Sequence, residues 1–281
     1  MIPQTFEYTA PQTLEEALGL IAGGDRKILA GGMSLIPLMK LRLATPGEVV
    51  DLGRVSGLNG ISENGGVVSI GAMTTHHAIE TSRVTRAHCP LLAETAGHIG
   101  DVQVRNVGTL GGAVAHADPA ADYPAALLAL EAQIKLISAQ ATRSVAASDF
   151  FLDAFTTALE PGEIVLEVEV PAEDQSEGYS YEKVPHPASG FAVVGIAARI
   201  KKDGNRIAMA RIGVTGMGAH AFRALAAEKV LENGGSVADA AATVGDGETP
   251  NSDLYASADY RLHLARVHAA RALATAISRA S

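Results

Sequence analysis

Two glycine pairs, each set after an apolar run, constrain this chain more than any other feature. The first lies in Ile28-Leu29-Ala30-Gly31-Gly32-Met33-Ser34-Leu35-Ile36-Pro37. The second lies in Thr109-Leu110-Gly111-Gly112-Ala113-Val114-Ala115-His116-Ala117-Asp118-Pro119-Ala120-Ala121-Asp122. Unpaired backbone N–H groups in a glycine turn can face an anion, and the missing Cβ lets phosphate oxygens approach. Two such turns predict a ligand gripped from two sides, as a dinucleotide pyrophosphate would be. The Ser34 hydroxyl and the N–H groups of Leu35 and Ile36 would add to the first site at a helix start. Asp118 and Asp122 have two readings. They cap a helix across Pro119, or they accept hydrogen bonds from sugar-like hydroxyls.

The chain has 281 residues, enough for two domains or one large domain with a satellite, and its 47% apolar content suffices for a core. A net charge of −9 argues against nucleic acid or an anionic membrane as the main partner. Aromatics are 4% and tryptophan is absent, so stacking platforms for single strands are not expected. No apolar run is long enough to span a bilayer, and Met1–Glu7 lacks the features of a signal peptide, so a cytoplasmic location is expected. The single cysteine, Cys89, excludes an internal disulfide and a thiolate-held cluster within this chain. It precedes Pro90 at a helix start and reads as a buried, inert thiol.

Local patterns place the elements. Thr13-Leu14-Glu15-Glu16 is a capping box, with Leu14, Ala17, Leu18 and Ile21 at helical spacing and Gly23-Gly24 as the stop. Strands are expected at 27–30 and 48–51. Asn64-Gly65 joins strands at 58–63 and 67–71 in a hairpin. Thr75 caps a short helix, and 90–99 and 123–130 read as helices. Strands follow near 133–138, 144–147 and 164–170. The acidic, small-residue segment 171–178 marks a domain boundary. Beyond it the pattern predicts strands at 178–184, 191–201 and 206–215, then helices at 221–231, 237–244 and 258–280. In the last helix Leu262, Ala265, Ala269, Leu273 and Ile277 mark one buried face.

The two glycine motifs together resemble the flavin-binding medium subunit of the molybdenum hydroxylases, including that of carbon monoxide dehydrogenase, and the flavin domain of xanthine dehydrogenase. The likeness extends to Ile70–His76, His98–Asn106, Gly162–Val165 and Tyr181–Val184. It implies an α+β fold: a PCMH-type FAD-binding domain related to vanillyl-alcohol oxidase, residues 1–173, with lobes 1–53 and 54–173. A smaller C-terminal domain, 178–281, would carry a three-stranded antiparallel sheet and a helical bundle. The resemblance implies that Ala30, Gly31, Gly32, Met33, Ser34 and Leu35 bind the pyrophosphate through backbone N–H groups, and that Thr109, Gly111, Gly112 and Ala113 complete the grip. Leu110 would sit near the isoalloxazine. Asp118 and Asp122 would accept from flavin-side hydroxyls, Val165 would approach the ring through its backbone, and Lys183 would lie at the pyrimidine edge. Ile99 and Phe191 occupy positions that are aromatic in some relatives. Ala113 replaces a frequent asparagine, and Met33 a frequent glutamine, threonine or histidine.

The resemblance further implies partners: a large subunit with molybdopterin and a small subunit with two [2Fe-2S] clusters, assembled as a dimer of heterotrimers. Electrons would pass from the clusters to FAD here and on to an external acceptor. No residue of this chain is expected to be catalytic or to ligate a metal. A self-sufficient flavoenzyme and a cofactor-free scaffold are the alternatives. A third competes from Gly216-Met217-Gly218-Ala219-His220-Ala221, which fits a dinucleotide fingerprint with Asp239 downstream. The roughly 60 remaining residues read as helices and lack the second parallel strand that a βαβ unit needs. Of the adjacent pair His76-His77, one is expected to face the flavin lobe and one solvent, both in surface or capping roles. His116 lies inside the second motif and reads as structural.

Overall fold

The computed structural model describes residues 2–23, 26–174 and 176–281. Three sheets organise it. The first is parallel, with Glu48–Asp51 between Glu7–Thr9 and Arg26–Leu29. The helix Leu14–Ile21 covers it and buries Ala17, Leu18 and Ile21. Its N-terminus is closed by the expected capping box of Thr13 and Glu16. The helix ends at Ala22, and Gly24 of the expected stop lies outside the described residues.

The second sheet is antiparallel and five-stranded, in the order Ile61–Asn64, Val67–Gly71, Ile164–Pro171, Gln133–Ile137, Thr142–Ala146. Its hairpin turn is centred on Gly65 and Gly66, both left-handed at φ 58° and 83°, a geometry that only glycine adopts cheaply. The helices Pro90–Gly97, Leu110–His116 and Tyr123–Ala129 share one core with this sheet, including Ile70, Leu92, Leu110, Leu127, Ile134 and Val168. Two short helices, Arg83–His88 and Val102–Val107, escaped sequence reading, because six residues give too little apolar periodicity.

The third sheet is antiparallel: Gly178–Pro185, Ala192–Asp203, Arg206–Thr215 and Phe222–Arg223. The last of these is a fourth strand beyond the three expected. Phe222 and Arg223 pair with the sheet before the helix Leu225–Glu232 begins, which corrects the helix expected from Ala221. The long helix Ala258–Arg279 packs on this sheet. Its buried face is Arg261, Leu264, Ala265, Ala269, Ala272, Leu273 and Ala276, rotated from the expected stripe. Leu262 and Ile277 fall at the rim because alanines let the helix axis come close. Gly178 shows how close: a Cβ there would collide with the Ala276 carbonyl.

Tyr123–Ala129 joins the two cores. It packs on the second sheet and also against Arg206–Thr215, where a Cβ at Gly213 would collide with Ala125. Among the described residues no helix is long and apolar enough to cross a membrane.

Candidate cofactor site

The two glycine motifs meet. A Cβ on Gly31 would collide with the Val107 carbonyl and lie 2.8 Å from Gly108 Cα. One on Gly112 would lie 3.3 Å from Ala30 Cβ. The turn after the strand Arg26–Leu29 therefore rests on the backbone that enters the second motif.

In the first motif the backbone donors are unspent. Gly31, Gly32, Met33, Ser34 and Leu35 have N–H groups with no partner among the described residues. Gly32 takes φ 74°, a left-handed turn of the chain that glycine adopts at little cost. Met33 is exposed, while Ala30, Ser34 and Leu35 are half-buried. The following helix, Leu35–Lys40, has only six residues, and the Ser34 side chain makes no capping bond. So short a helix has a small dipole, and the donors this turn offers are the loop's own N–H groups.

The second motif differs. Gly111 and Gly112 lie in the first turn of the helix Leu110–His116, with Thr109 as N-cap. Leu110 N–H donates to Thr74 O at 3.0 Å and Gly111 N–H to Ala72 O at 2.8 Å. Gly112 N–H donates to Thr109 Oγ1 at 3.2 Å, and Ala113 N–H to Thr109 O at 3.1 Å. These four donors are spent, which corrects the expectation that Gly111 and Gly112 grip a phosphate through free amides. Thr109 alone in this run has an N–H without a partner among the described residues. The Leu110 side chain lies fully inside the core. Gly111 is glycine because a Cβ there would lie 2.9 Å from Ala72 Cα and O.

Below this junction sits His76, 4% exposed, its Nδ1 3.2 Å from the Tyr123 hydroxyl. Burial, and then the Arg105 charge, push its imidazole down to about 4. Its neighbour His77 is exposed and faces Glu80. The pair splits inward and outward as expected, but His76 is a buried support, not a surface residue. Cys89 is fully buried, and burial first, then Glu173, push its thiol up.

The remaining expected residues converge from both halves of the chain. Asp118 closes a turn by accepting from Ala120 N–H at 2.9 Å. Ala120 O accepts from Ala192 N–H at 3.0 Å, which ties this turn to the residue after Phe191. Phe191 is 40% exposed. Gly190 beside it packs on Gly100, next to the half-buried Ile99. Val165 is buried at a bulge in its strand. The adjacent Leu166 O accepts from Ala72 N–H, placing this bulge beside the Gly111 contact.

Asp122 and Lys183 form a buried pair, with side chains 4% and 2% exposed and 2.9 Å between Oδ2 and Nζ. Removing one partner of such a pair typically costs roughly 3–5 kcal/mol. Lys183 also donates to His98 O at 2.8 Å, and Tyr181 donates its hydroxyl to Asp122 Oδ1 at 2.6 Å. Burial raises the Asp122 carboxyl; the Lys183 charge and the Tyr181 hydrogen bond oppose the rise. Asp122 thus spends both oxygens on protein donors, which the sugar-acceptor reading did not foresee. Tyr181 escaped the sequence reading of the site. It lies two residues before Lys183 in the strand Gly178–Pro185, on the same face, so strand periodicity carried the signal.

The dinucleotide fingerprint at Gly216 fails here. Its strand, Arg206–Thr215, is antiparallel to both neighbours. Gly216 N–H is spent on Pro119 O at 2.8 Å, and Asp239 serves a capping box with Ser236. Gly216 and Thr215 instead dock the third sheet onto the Asp118–Asp122 turn. Among the described residues no three His, Cys, Asp or Glu side chains converge on a metal position.

Two family models match the chain. Residues 4–173 match the FAD binding domain in molybdopterin dehydrogenase, and residues 179–276 match the CO dehydrogenase flavoprotein C-terminal domain. The chain is 40% identical to the carbon monoxide dehydrogenase medium chain of Hydrogenophaga pseudoflava over 99% of both chains. It is 40% identical to the glyceraldehyde dehydrogenase medium chain of Sulfolobus acidocaldarius, over 95% of this chain and 96% of the other. Its fold superposes on the solved carbon monoxide dehydrogenase chain from H. pseudoflava with a TM-score of 0.96, covering all of both chains. A chain of quinoline 2-oxidoreductase from Pseudomonas putida gives 0.94 at 35% identity, again over all of both.

Proposed function

From the premise that the chain belongs to the FAD-binding medium chains of the molybdopterin dehydrogenases, we propose that it is the electron-output subunit of a multi-subunit molybdenum hydroxylase. The observation that carries the cofactor assignment is the run of unspent N–H groups from Gly31 to Leu35, beside the N–H of Thr109. The residues fit the pyrophosphate of FAD: the turn is glycine-lined and rich in donors. FAD, when bound, supplies the capacity to accept electrons and pass them on.

The chain's own residues bind and orient. In this reading Ala30–Leu35 and Thr109 hold the pyrophosphate, while Gly111, Gly112 and Ala113 form the rigid wall behind them. Lys183 directs positive charge to the ring's pyrimidine edge, held there by Asp122. Val165, Ile99 and Phe191 bound the ring, and Asp118 keeps the Ala120 turn in place. Residues 1–173, in lobes 1–53 and 54–173, form the flavin-binding unit, and 178–281 form the C-terminal domain.

The partners in this reading are a large molybdopterin subunit and a small subunit carrying two [2Fe-2S] clusters, in a dimer of heterotrimers. A lone buried cysteine cannot hold a cluster whose irons take four protein ligands. The medium chains of dehydrogenases named for carbon monoxide and glyceraldehyde, and subunit alpha of a 6-hydroxypseudooxynicotine dehydrogenase complex, are 36–40% identical to this one. That breadth supports placing substrate choice in the large subunit.

The test separates this role from a self-sufficient flavoenzyme. The chain purified alone should take up FAD without turning over a panel of aldehydes, heterocycles and carbon monoxide. The copurified complex should turn over one of them and bleach the flavin. Turnover by the chain alone would overturn the proposal.

A further inference from the structure

We propose that Tyr181 is a positioning residue, which by holding Asp122 keeps one N–H of the Lys183 ammonium directed at the flavin ring. The inference rests on the proposed placement of Lys183 at that ring. Three distances carry it. Lys183 has three donors, and two are spent: on Asp122 Oδ2 at 2.9 Å and on His98 O at 2.8 Å. The other carboxylate oxygen, Oδ1, is taken by the Tyr181 hydroxyl at 2.6 Å. With both oxygens engaged by different donors, Asp122 holds Lys183 through one oxygen, and the third N–H has no partner among the described residues.

The surroundings are built for that phenol. Tyr181 is 2% exposed, and its ring meets the His98 ring edge-on with centroids 5.6 Å apart. Its hydroxyl lies over Gly195 on the neighbouring strand, where a Cβ would collide with it. The Tyr181 N–H is fixed separately, by Glu94 Oε1 at 2.8 Å. Phenylalanine therefore fits the same space and loses only the O–H. Without it, Asp122 Oδ1 draws the third N–H of Lys183 toward itself, and the positive charge turns away from the ring. A cation facing the ring stabilises the reduced flavin's negative charge, so its withdrawal lowers the midpoint potential.

The experiment is a double-mutant cycle read by flavin midpoint potential, with FAD bound to the full-length chain isolated with whatever subunits copurify. The variants are Tyr181→Phe, Lys183→Met and both together. Lys183→Gln replaces the methionine variant if that one does not accumulate. The expected result is a lower potential in Lys183→Met and a smaller fall in Tyr181→Phe. The double variant should match Lys183→Met alone. Two results overturn the role of Tyr181 while leaving Lys183 in place: no shift in Tyr181→Phe, or a Tyr181→Phe shift that persists in full without the lysine. An unchanged potential in Lys183→Met removes the premise, and with it the proposal.

Discussion

The two glycine pairs look alike in sequence and obey different physics. At Gly31-Gly32 the backbone donors have no partner among the described residues, and the chain turns left-handed at Gly32. At Gly111-Gly112 the donors close a helix turn and pair with Ala72, and glycine is required because Ala72 leaves no room for a Cβ. In the proposed reading, one pair makes the site and the other makes the wall against which that site is built. A glycine pair thus states that backbone comes close to something. Only the hydrogen-bond accounting tells whether that something is a ligand or the protein itself.

The sharpest break of this comparison is a methyl group on the wall. Gly111→Ala should destabilise the cofactor-free chain by about 3 kcal/mol, the upper end of overpacking costs, because Ala72 contributes backbone atoms that cannot rotate away. Urea unfolding of the FAD-free chain measures it. Unchanged stability would mean that the wall is softer than its contacts state. Loss of FAD in this variant would follow from unfolding, so it is no probe of phosphate binding.

The next effect comes from the support under the wall. A Cβ on Gly108 would lie 2.6 Å from His76 Nε2, and the imidazole is held neutral down to about pH 4. The folded pKa is depressed below the ordinary 6.5, so the contribution of His76 is complete above pH 6.5. Between 6.5 and 4 the unfolded chain takes up a proton that the folded chain refuses, and stability falls with falling pH. The loss across that window should be about 2–3 kcal/mol. Subtracting the stability–pH curve of His76→Gln from that of the parent isolates it. Parallel curves would show that His76 protonates at no cost.

Much of this was legible in the sequence because local chemistry decided it. The Thr13–Glu16 capping box, the hairpin at Asn64-Gly65 and the strand ending at Pro171 each depend on residues a few positions apart. The resemblance brought Lys183 and Asp122 onto one list. It did not say that they hold each other, since 61 positions separate them and only the fold brings the pair together. The strand at Phe222 was hidden because two residues pair with Gly213 and Val214, and no periodicity fits in two residues. The spent amides of Gly111 and Gly112 were hidden for a related reason. Their partners in the Ala72–Thr74 segment, and the Thr109 cap, declare themselves only once the helix start is known.

The site itself is broken more gently. Gly32→Ala places a methyl at φ 74° against the flexible end of Ile36, whose Cδ1 would lie 2.7 Å away. The left-handed backbone costs roughly 1–2 kcal/mol. The cofactor-free chain should remain folded by circular dichroism, and FAD affinity should drop about tenfold, the equivalent of 1.4 kcal/mol. Fluorescence titration with FAD reads the affinity. Riboflavin, which lacks phosphate, should bind equally weakly to parent and variant. A variant that loses riboflavin as steeply as FAD would take the pyrophosphate away from this loop.

The smallest effect is expected at the residue that belongs to both descriptions. Thr109 caps the wall helix through Oγ1, and its own N–H has no partner among the described residues. Thr109→Ser keeps the cap acceptor. Thr109→Val keeps the shape and removes it. Loss of an N-cap costs about 1 kcal/mol, so the valine variant should unfold at lower urea while the serine variant tracks the parent. Both retain the backbone N–H. If Thr109 serves the pyrophosphate through that N–H alone, FAD affinity stays within about twofold in both variants, well under the 1.4 kcal/mol that separates tenfold steps. If the hydroxyl also donates to the pyrophosphate, only the valine variant loses affinity, by more than its loss of stability explains. The wall would then be part of the grip, and the division between the two glycine pairs would move one residue, from Thr109 to Leu110.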